Sequence, residues 1–389
     1  MLTALLVAAS VTWQNPLQAV PNSAPQAAPQ AREIPLDSGW TFRGETTPLG
    51  TYRGVPAFRM RNARAIRPDV ELQDGTIDVD VAVTSHRSFV YLKFRMADGE
   101  NHEEIYLRPH KSSLPDAVQY APVFSGVSAW QLYHGPGGTA PTTFTRDEWM
   151  QVRLVLRGQR AALFIGDLQR PALVMPLVRE ARAGFLALRA FTPEGGAPDG
   201  EKVAAFRNVV VRPDHFAYDF GPEPERPPAS AGLVMRWQLS PPFAANVGPV
   251  LALADSLLKG REQWDSAPLE QNGLLNIDRH VRRPSPRSAV IARLVLRSPA
   301  ETLQRIRVGY SDFVTVFVNG RPLFSGDAHY SFDAPRQDGL VGLWQAMAWL
   351  PLRAGDNEVL FAVSDSFGGW ALSAALDEPR GVTVVPPDR

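Results

Sequence analysis

Polar and aromatic side chains recur at every second position in two short stretches of the chain. Residues 89–95 read FVYLKFR and residues 104–108 read EIYLR. Because side chains alternate between the two faces of a β-strand, each stretch would carry its polar and aromatic residues on one face. If the strands are neighbours, that face joins tyrosine rings, which stack on the apolar surface of a sugar, to charged groups that bind hydroxyls. The residues concerned are Tyr91, Lys93, Arg95, Glu104, Tyr106 and Arg108.

Further binding candidates lie in the segments that follow these strands. Gln131 and Tyr133 would share a face of another strand, over residues 129–134. His110 and His134 lie in polar loops, and long loops on a rigid sandwich often carry function. The alternative is an ordinary solvated sheet face with cross-strand ion pairs.

A few acidic and basic side chains are candidates for catalysis, and the sequence does not decide whether they share one face. Glycoside hydrolysis uses two carboxyl groups, about 5–5.5 Å apart for retention and about 6.5–9.5 Å apart for inversion. Glu104 is a candidate for one of them, and Asp80, which shares a predicted strand face with Asp78, is a candidate for the other. His110 or His134 could instead act as the base in an elimination from a keto-sugar. Solvated acids and surface histidines are the alternatives, so the sequence leaves open whether the face cuts or only binds.

Signals for other chemistries are missing from the sequence. The absence of cysteine excludes thiol nucleophiles and Cys-ligated metal sites. There is no phosphate-binding glycine-rich loop and no nucleophile elbow. The net charge of zero argues against a nucleic-acid partner. No cofactor or metal is expected, and a structural calcium ion, without EF-hand spacing to support it, would rest on loop aspartates. Those aspartates are Asp74, Asp98, Asp327, Asp333 and Asp338.

The elements that must position these residues are short strands separated by turns. Period-2 segments dominate the chain, and its 35 prolines suit strands and loops better than helices. The pattern predicts an all-β protein with two antiparallel β-sandwich (jelly-roll) domains in tandem. Asn319-Gly320 between apolar runs predicts a hairpin. Only Leu177–Ala183 and Val250–Leu258 suggest a helix.

Composition divides the chain into four parts. A Pro-rich linker over 221–231 separates a sandwich at 33–220 from a second sandwich at 232–389. Residues 1–32 read as a signal peptide and flexible leader, in which Leu2–Val11 is an apolar run too short to span a bilayer. The alternative is a disordered tail on a cytoplasmic protein. No later segment predicts membrane insertion, so the expected location is periplasmic or extracellular.

Several segments of the first half are similar to a known fold family. Residues 34–213 resemble the concanavalin A-like lectin/glucanase sandwich, including its laminin-G-like and 3-keto-disaccharide-hydrolase-like domains. The resemblance implies a glycan on the concave sheet. The Glu-x-Asp-x-x-Glu pattern of family 16 glucanases is missing from this chain. The carrying segments are LDSGWTF (36–42), DGTIDVDVAV (74–83), FVYLKFR (89–95), DEWMQVRLVLRGQRAALFIGD (147–167), AGFLALRA (183–190) and FRNVVVRP (206–213).

The second half carries a separate resemblance. FVTVFVNGRPLF (313–324) and LRAGDNEVLFAVSDSFGGWAL (352–372) resemble the galactose-binding-like jelly roll that accompanies many glycoside hydrolases. Trp370, which follows a Gly-Gly loop, is the candidate there to stack a sugar. A core position is the alternative for this tryptophan.

The sequence is compatible with three functions. The first is an exported carbohydrate-binding protein whose partner is an oligo- or polysaccharide. The second is a glycoside hydrolase or sugar-processing lyase that uses a carboxylate or histidine as acid or base. The third is a non-catalytic adhesion or protein-interaction module.

Overall fold

The computed structural model describes residues 31–223, 232–245, 263–270, 272–334 and 336–386. Within these ranges the regular structure is β-strand, with two short 3-10 helices at Pro109–Lys111 and Ile277–Arg279. The predicted all-β sandwich class is confirmed. The brief helix expected at Leu177–Ala183 is wrong, because this segment is irregular chain between two strands. The helix expected at Val250–Leu258 and most of the predicted linker lie outside the described residues.

The strands form two groups. The first sandwich comprises β1 (Arg32–Ile34), β2 (Thr41–Tyr52), β3 (Val55–Leu72), β4 (Gly75–Val83), β5 (Phe89–Met96), β6 (His102–Leu107), β7 (Val118–Phe124), β8 (Val127–Ser128), β9 (Thr139–Ala140), β10 (Met150–Arg157), β11 (Arg160–Ile165), β12 (Leu173–Pro176), β13 (Gly184–Phe191) and β14 (Ala204–Pro213). The second sandwich comprises β15 (Trp237–Leu239), β16 (Phe243–Ala244), β17 (Asp265–Ala267), β18 (Leu275–Asn276), β19 (Ser288–Ser298), β20 (Thr302–Ser311), β21 (Phe313–Val318), β22 (Arg321–Asp327), β23 (Ala346–Leu352), β24 (Gly355–Asp365), β25 (Ala371–Leu376) and β26 (Thr383–Val384).

The first sandwich is built on one long strand that serves both of its layers. Its hydrogen-bonded order is β12-β11-β10-β4-β14-β3-β13-β5-β6-β7-β8. β3 pairs with β14 through Phe58–Met60 and with β13 through Ala63–Leu72. Apolar side chains from β4 and β10 on one side, and from β5 and β6 on the other, fill a single core.

Alternation along β5 shows how the sequence sets the two faces of its layer. Val90, Leu92 and Phe94 point into the core of the first sandwich. Tyr91 and Lys93 therefore point to the opposite side, which we call the outer face. The same alternation gives β3, β13, β6 and β7 an outer face continuous with that of β5.

The second sandwich has its own core between two antiparallel sheets. One sheet runs β17-β15-β19-β24-β21-β22, and the other runs β18-β25-β20-β23. The core contains Val290, Ile306, Leu350, Phe361 and Trp370. No helix within the described ranges is long and apolar enough to cross a membrane.

The predicted Asn-Gly hairpin connects β21 and β22. Val318 pairs with Arg321 across the turn. Asn319 and Gly320 have φ of 50° and 78°. Positive φ at both central residues matches the right-handed twist of the flanking strands, which explains why this dipeptide closes the hairpin.

Candidate functional site

The outer face of the first sandwich brings together most of the polar residues that the strand pattern singled out. β5 and β6 are antiparallel neighbours, with Tyr91 directly opposite Tyr106 and Lys93 directly opposite Glu104. Pairs placed in this way have Cβ atoms about 4.5–5.5 Å apart. The sequence therefore predicts the juxtaposition of these four side chains correctly. A binding role for them remains a prediction.

Lys93 and Glu104 form the centre of a buried polar network. Lys93 Nζ donates to Glu104 Oε2 over 2.7 Å, and Ser128 Oγ donates to Glu104 Oε1 over 2.7 Å. His102 Nε2 lies 2.7 Å from Nζ and 3.4 Å from Oε2. Glu104 is 1% exposed and Lys93 is 6% exposed. The network is thus closed off from solvent, and its charges neutralise each other.

Burial and pairing shift the pKa values of this network in opposite directions. Burial alone would raise the pKa of Glu104, but the Lys93 ammonium and hydrogen bonds from His102 and Lys93 outweigh it and lower the pKa to about 2. Burial lowers the pKa of His102, which favours a neutral ring. Glu104 is therefore an ionised carboxylate with no proton to give at neutral pH, which is the wrong state for a general acid.

A second buried network includes Tyr106 and Arg108. Tyr106 Oη donates to Gln119 Oε1 over 2.7 Å and accepts from Arg108 over 2.8 Å. Arg108 also contacts Asp116, which accepts from Lys111 Nζ over 2.5 Å. Burial raises the pKa of the Tyr106 phenol to about 12. These groups bond to one another, so they brace the face rather than present it to solvent.

Two further candidates, Arg95 and Asp80, are placed differently from expectation. Arg95 has φ of 48°, which breaks the alternation, and it binds Asp74 and Gln73 at the end of the sheet instead of joining Tyr91 and Lys93. Asp80 lies on β4, in the other layer from Glu104. Its Oδ2 accepts from Arg207 and Asn208 over 3.1 and 2.7 Å. The two carboxylates therefore do not face one another across a substrate site.

The strand expected over residues 129–134 is wrong, because this segment forms turns. It lies against the second sandwich. Gln131 Nε2 donates to Asp312 Oδ1 over 3.2 Å, Tyr133 Oη donates to Glu270, and His134 Nε2 lies 2.9 Å from the Val341 carbonyl oxygen. These three predicted ligand residues are thus committed to contacts between the sandwiches.

Trp370 is 0% exposed and lies in the core of the second sandwich. The expectation that its ring stacks a sugar is therefore wrong. The exposed tryptophans of this sandwich are Trp344 and Trp349, at 69% and 52%. Trp344 contacts the ring of His134 edge-on, with centroids 5.7 Å apart.

His110 lies in the short 3-10 helix Pro109–Lys111, which follows β6 at the edge of the outer face. Its Nδ1 is 3.1 Å from the Ser88 carbonyl oxygen, and its ring packs edge-on against Phe89. Burial lowers the pKa of His110 to about 4, so the ring is neutral at pH 7. A neutral imidazole can accept a proton, yet no carboxylate among the described residues orients it.

The predicted calcium ligands do not assemble. Asp74 is held by Arg95 and by the Gly158 amide, each over 2.8 Å. Within the described ranges, no group of three or more histidine, aspartate or glutamate side chains is placed to hold a metal ion.

Sequence reasoning missed the arginines that complete the outer face. In register across β2, β3, β13 and β5, Arg43 lies opposite Arg64, Arg64 opposite Arg189, and Arg189 opposite Tyr91. Arg64, Arg189 and Tyr91 are half-buried, and Arg43 is exposed. We call Arg43, Arg64 and Arg189 the arginine row. Alternation in residues 63–66 and 186–191 marks these side chains as outward, but strand neighbours had to be known before they could be joined.

The arginine row leads to the half-buried ring of Tyr91. The Arg189 guanidinium carbon lies 4.9 Å from the centre of the Tyr91 ring, within cation–π distance. Arg189 also lies 5.5 Å from the ring centre of Phe191. The open part of the outer face therefore combines flat apolar surface with forked hydrogen-bond donors.

Comparisons with known proteins give matches among solved structures. One is a carbohydrate-binding module from Bacillus subtilis, at 16% identity and a TM-score of 0.33, covering 44% of this chain and 93% of that one. Another is a Bacillus subtilis protein with a galectin-like fold, at 12% identity and a TM-score of 0.32, covering 44% and 88%. A third is the Bacillus licheniformis β-glucanase, at 11% identity and a TM-score of 0.33, covering 49% and 100%.

The similarity is one of fold. The matched structures identify no ligand for this chain. The galactose-binding-like resemblance of the second half remains a prediction. No protein-family model matches the chain, and no curated protein matches it.

Proposed function

We propose that this chain is an exported carbohydrate-binding protein that holds a glycan on the outer face of its first sandwich. The observation that carries the proposal is the half-buried Tyr91 ring, flanked on one side by Arg189 and on the other by Tyr106. A sugar ring could stack on Tyr91 while guanidinium groups donate to its hydroxyls. Export follows from the predicted signal peptide, and the proposed location is the periplasm or the cell exterior.

Binding without cleavage fits the face better than hydrolysis. Glu104 is ionised, buried and ion-paired, and Asp80 lies in the other layer. Hydrolysis requires two carboxyl groups on either side of the scissile bond. The two carboxylates that the sequence offered therefore lack the geometry for this reaction, and the proposal assigns the chain no catalysis.

The second sandwich acts in this proposal as a support. Gln131 and His134 join the turn segment of the first sandwich to Asp312 and Val341 of the second. The same turn segment covers the β7 side of the outer face, because the Gln119 amide donates to the Trp130 carbonyl oxygen over 2.6 Å. The second sandwich thus holds in place one wall of the proposed site.

Replacing Tyr91 tests the proposal. We expect Tyr91→Ala to weaken glycan binding about 10- to 100-fold, because the variant loses the stacking surface for the sugar ring. The measurement is a glycan array followed by calorimetric titration of the best ligand. Tyr218→Ala is the matched control, since Tyr218 is also half-buried but packs against Phe164 on the other layer.

Two outcomes of this experiment would contradict the proposal. Unchanged affinity in a folded Tyr91→Ala variant would remove this face from consideration. Equal losses in the Tyr91 and Tyr218 variants would indicate a general loss of structure rather than a lost contact.

A further inference from the structure

Three positive charges lie side by side in the arginine row without a negative charge between them. Neighbouring strands are about 4.8 Å apart, so the row spans about 10 Å across β2, β3 and β13. Among the described residues, Arg43, Arg64 and Arg189 form no ion pair with a carboxylate. The positive charge of the row is therefore not balanced by its own sheet.

This arrangement is costly for the fold by itself. Like charges directly opposite one another destabilise a sheet. Other strand arginines of the first sandwich do meet carboxylates: Arg153 binds Asp78 over 2.6 Å, and Arg67 binds Asp69 over 2.6 Å. Folding alone gives no reason for three adjacent arginines, whereas a ligand that supplies negative charge would balance them.

Glu104, the carboxylate that the outer face carries on β6, already has a partner. Glu104 is committed to Lys93 through the 2.7 Å ion pair. Burial lowers the pKa of Lys93, Glu104 opposes that effect, and the nearby Arg189 and Arg64 lower the pKa further. Lys93 and Glu104 together carry no net charge, so this pair does not balance the positive charge of the arginine row.

We infer that the outer face binds an anionic saccharide, whose sugar ring stacks on Tyr91 while its carboxylate or sulfate is held by Arg64 and Arg189. Arg43 lies two strands away from Arg189, about 10 Å, and would bind a second anionic group of the same ligand. The planar guanidinium presents two parallel N–H donors that match a carboxylate or sulfate edge. This inference rests on the proposed function and adds the substrate class to it.

The test compares polymers that differ only in charge. The full chain is titrated calorimetrically with polygalacturonate and with its fully methyl-esterified form, and separately with dextran sulfate and unmodified dextran. We expect binding to at least one anionic polymer of these pairs, at least tenfold weaker binding to its neutral counterpart, and weaker binding as salt increases. The two pairs also separate a carboxylate-bearing ligand from a sulfated one.

Two double variants connect the charge preference to the arginine row. Arg64→Gln with Arg189→Gln should reduce affinity for the anionic polymer about 100-fold or more, since each lost charge-assisted contact is worth about tenfold. Arg146→Gln with Arg170→Gln is the matched control. It removes the same total charge from two exposed positions outside the row, and we expect it to change affinity less than about threefold.

The outcomes distinguish this inference from the proposal beneath it. If charged and neutral polymers bind equally well and Tyr91→Ala abolishes both, the anionic preference is overturned and glycan binding on this face remains. Equal loss in both arginine double variants would overturn it as well, because bulk charge would then explain the attraction. Binding of inorganic polyphosphate as tightly as the anionic polymer would show a polyanion site and not a saccharide site. Binding to none of these polymers nor to any arrayed glycan would overturn both.

Discussion

Glu104→Gln is expected to lower the free energy of unfolding by about 3–5 kcal/mol. The substitution keeps the size of the side chain but leaves the Lys93 ammonium, 6% exposed, without its counter-charge. Breaking one partner of a buried ion pair costs far more than the pair contributes, because the remaining charge stays desolvated. Urea unfolding followed by tryptophan fluorescence measures the change.

A double variant separates the cost of an orphaned charge from the value of the pair. Lys93→Met with Glu104→Met removes both charges and fills a similar volume, so we expect it to be more stable than either single substitution. Additive losses in the double variant would contradict the ion-pair explanation.

The stability of the same pair depends on pH in a defined direction. The pKa of Glu104 is about 2 in the folded chain, against an ordinary value of 4.5. Because the folded value is the lower one, ionised Glu104 stabilises the fold fully above pH 4.5 and progressively less as pH falls toward 2. The Glu104→Gln variant lacks this contribution, so its free energy of unfolding should fall less steeply over that interval.

Asp312→Ala is expected to cost about 3 kcal/mol or more. This buried carboxylate accepts hydrogen bonds from Ser311 Oγ, Gln131 Nε2, Ser366 N, Ser366 Oγ and Phe367 N, at 2.8–3.2 Å. Alanine leaves these donors without an acceptor in a site that excludes solvent, and each unsatisfied buried donor costs about 1–3 kcal/mol. Differential scanning calorimetry is the measurement.

Matched variants show how much of that cost comes from the contact between the sandwiches. Gln131→Ala removes one donor to Asp312 and should cost about 1 kcal/mol. Asp312→Asn keeps one acceptor oxygen and should lie between the two. If Gln131→Ala were as damaging as Asp312→Ala, the main role of Asp312 would be to join the two sandwiches and not to hold the loop at Ser366 and Phe367. A loss below about 1 kcal/mol in Asp312→Ala would contradict the argument.

Period-2 alternation was sufficient to predict the strand class and the shared face of Tyr91, Lys93, Glu104 and Tyr106. The prediction succeeded because side-chain direction along a regular strand is a local property. It failed at Arg95, where a positive φ interrupts the alternation. The sequence also predicted that Lys93 and Glu104 face solvent as ligands. In the structure both are buried, and Ser128 bonds to Glu104.

Non-local contacts explain the remaining differences. Arg64 and Arg189 are over a hundred residues apart in sequence, and only the pairing of β3 with β13 makes them neighbours. Trp370 is buried because a second sheet packs over it, which no spacing in its own segment reveals. The turn at 129–134 forms against the second sandwich, whose position the sequence does not encode locally.

The order of strands in the first sandwich also has a consequence for how the chain is made. β13 and β14, the last strands of this sandwich to leave the ribosome, occupy its middle, between β5 and β3 and between β3 and β4. The layer that contains β13 cannot be completed before residue 191 has been synthesised, and the layer that contains β14 not before residue 213. Such long-range pairings close slowly. The first sandwich of a nascent chain therefore stays open until nearly all of its own strands have been made, which is the state that a translocation channel for unfolded chains accepts.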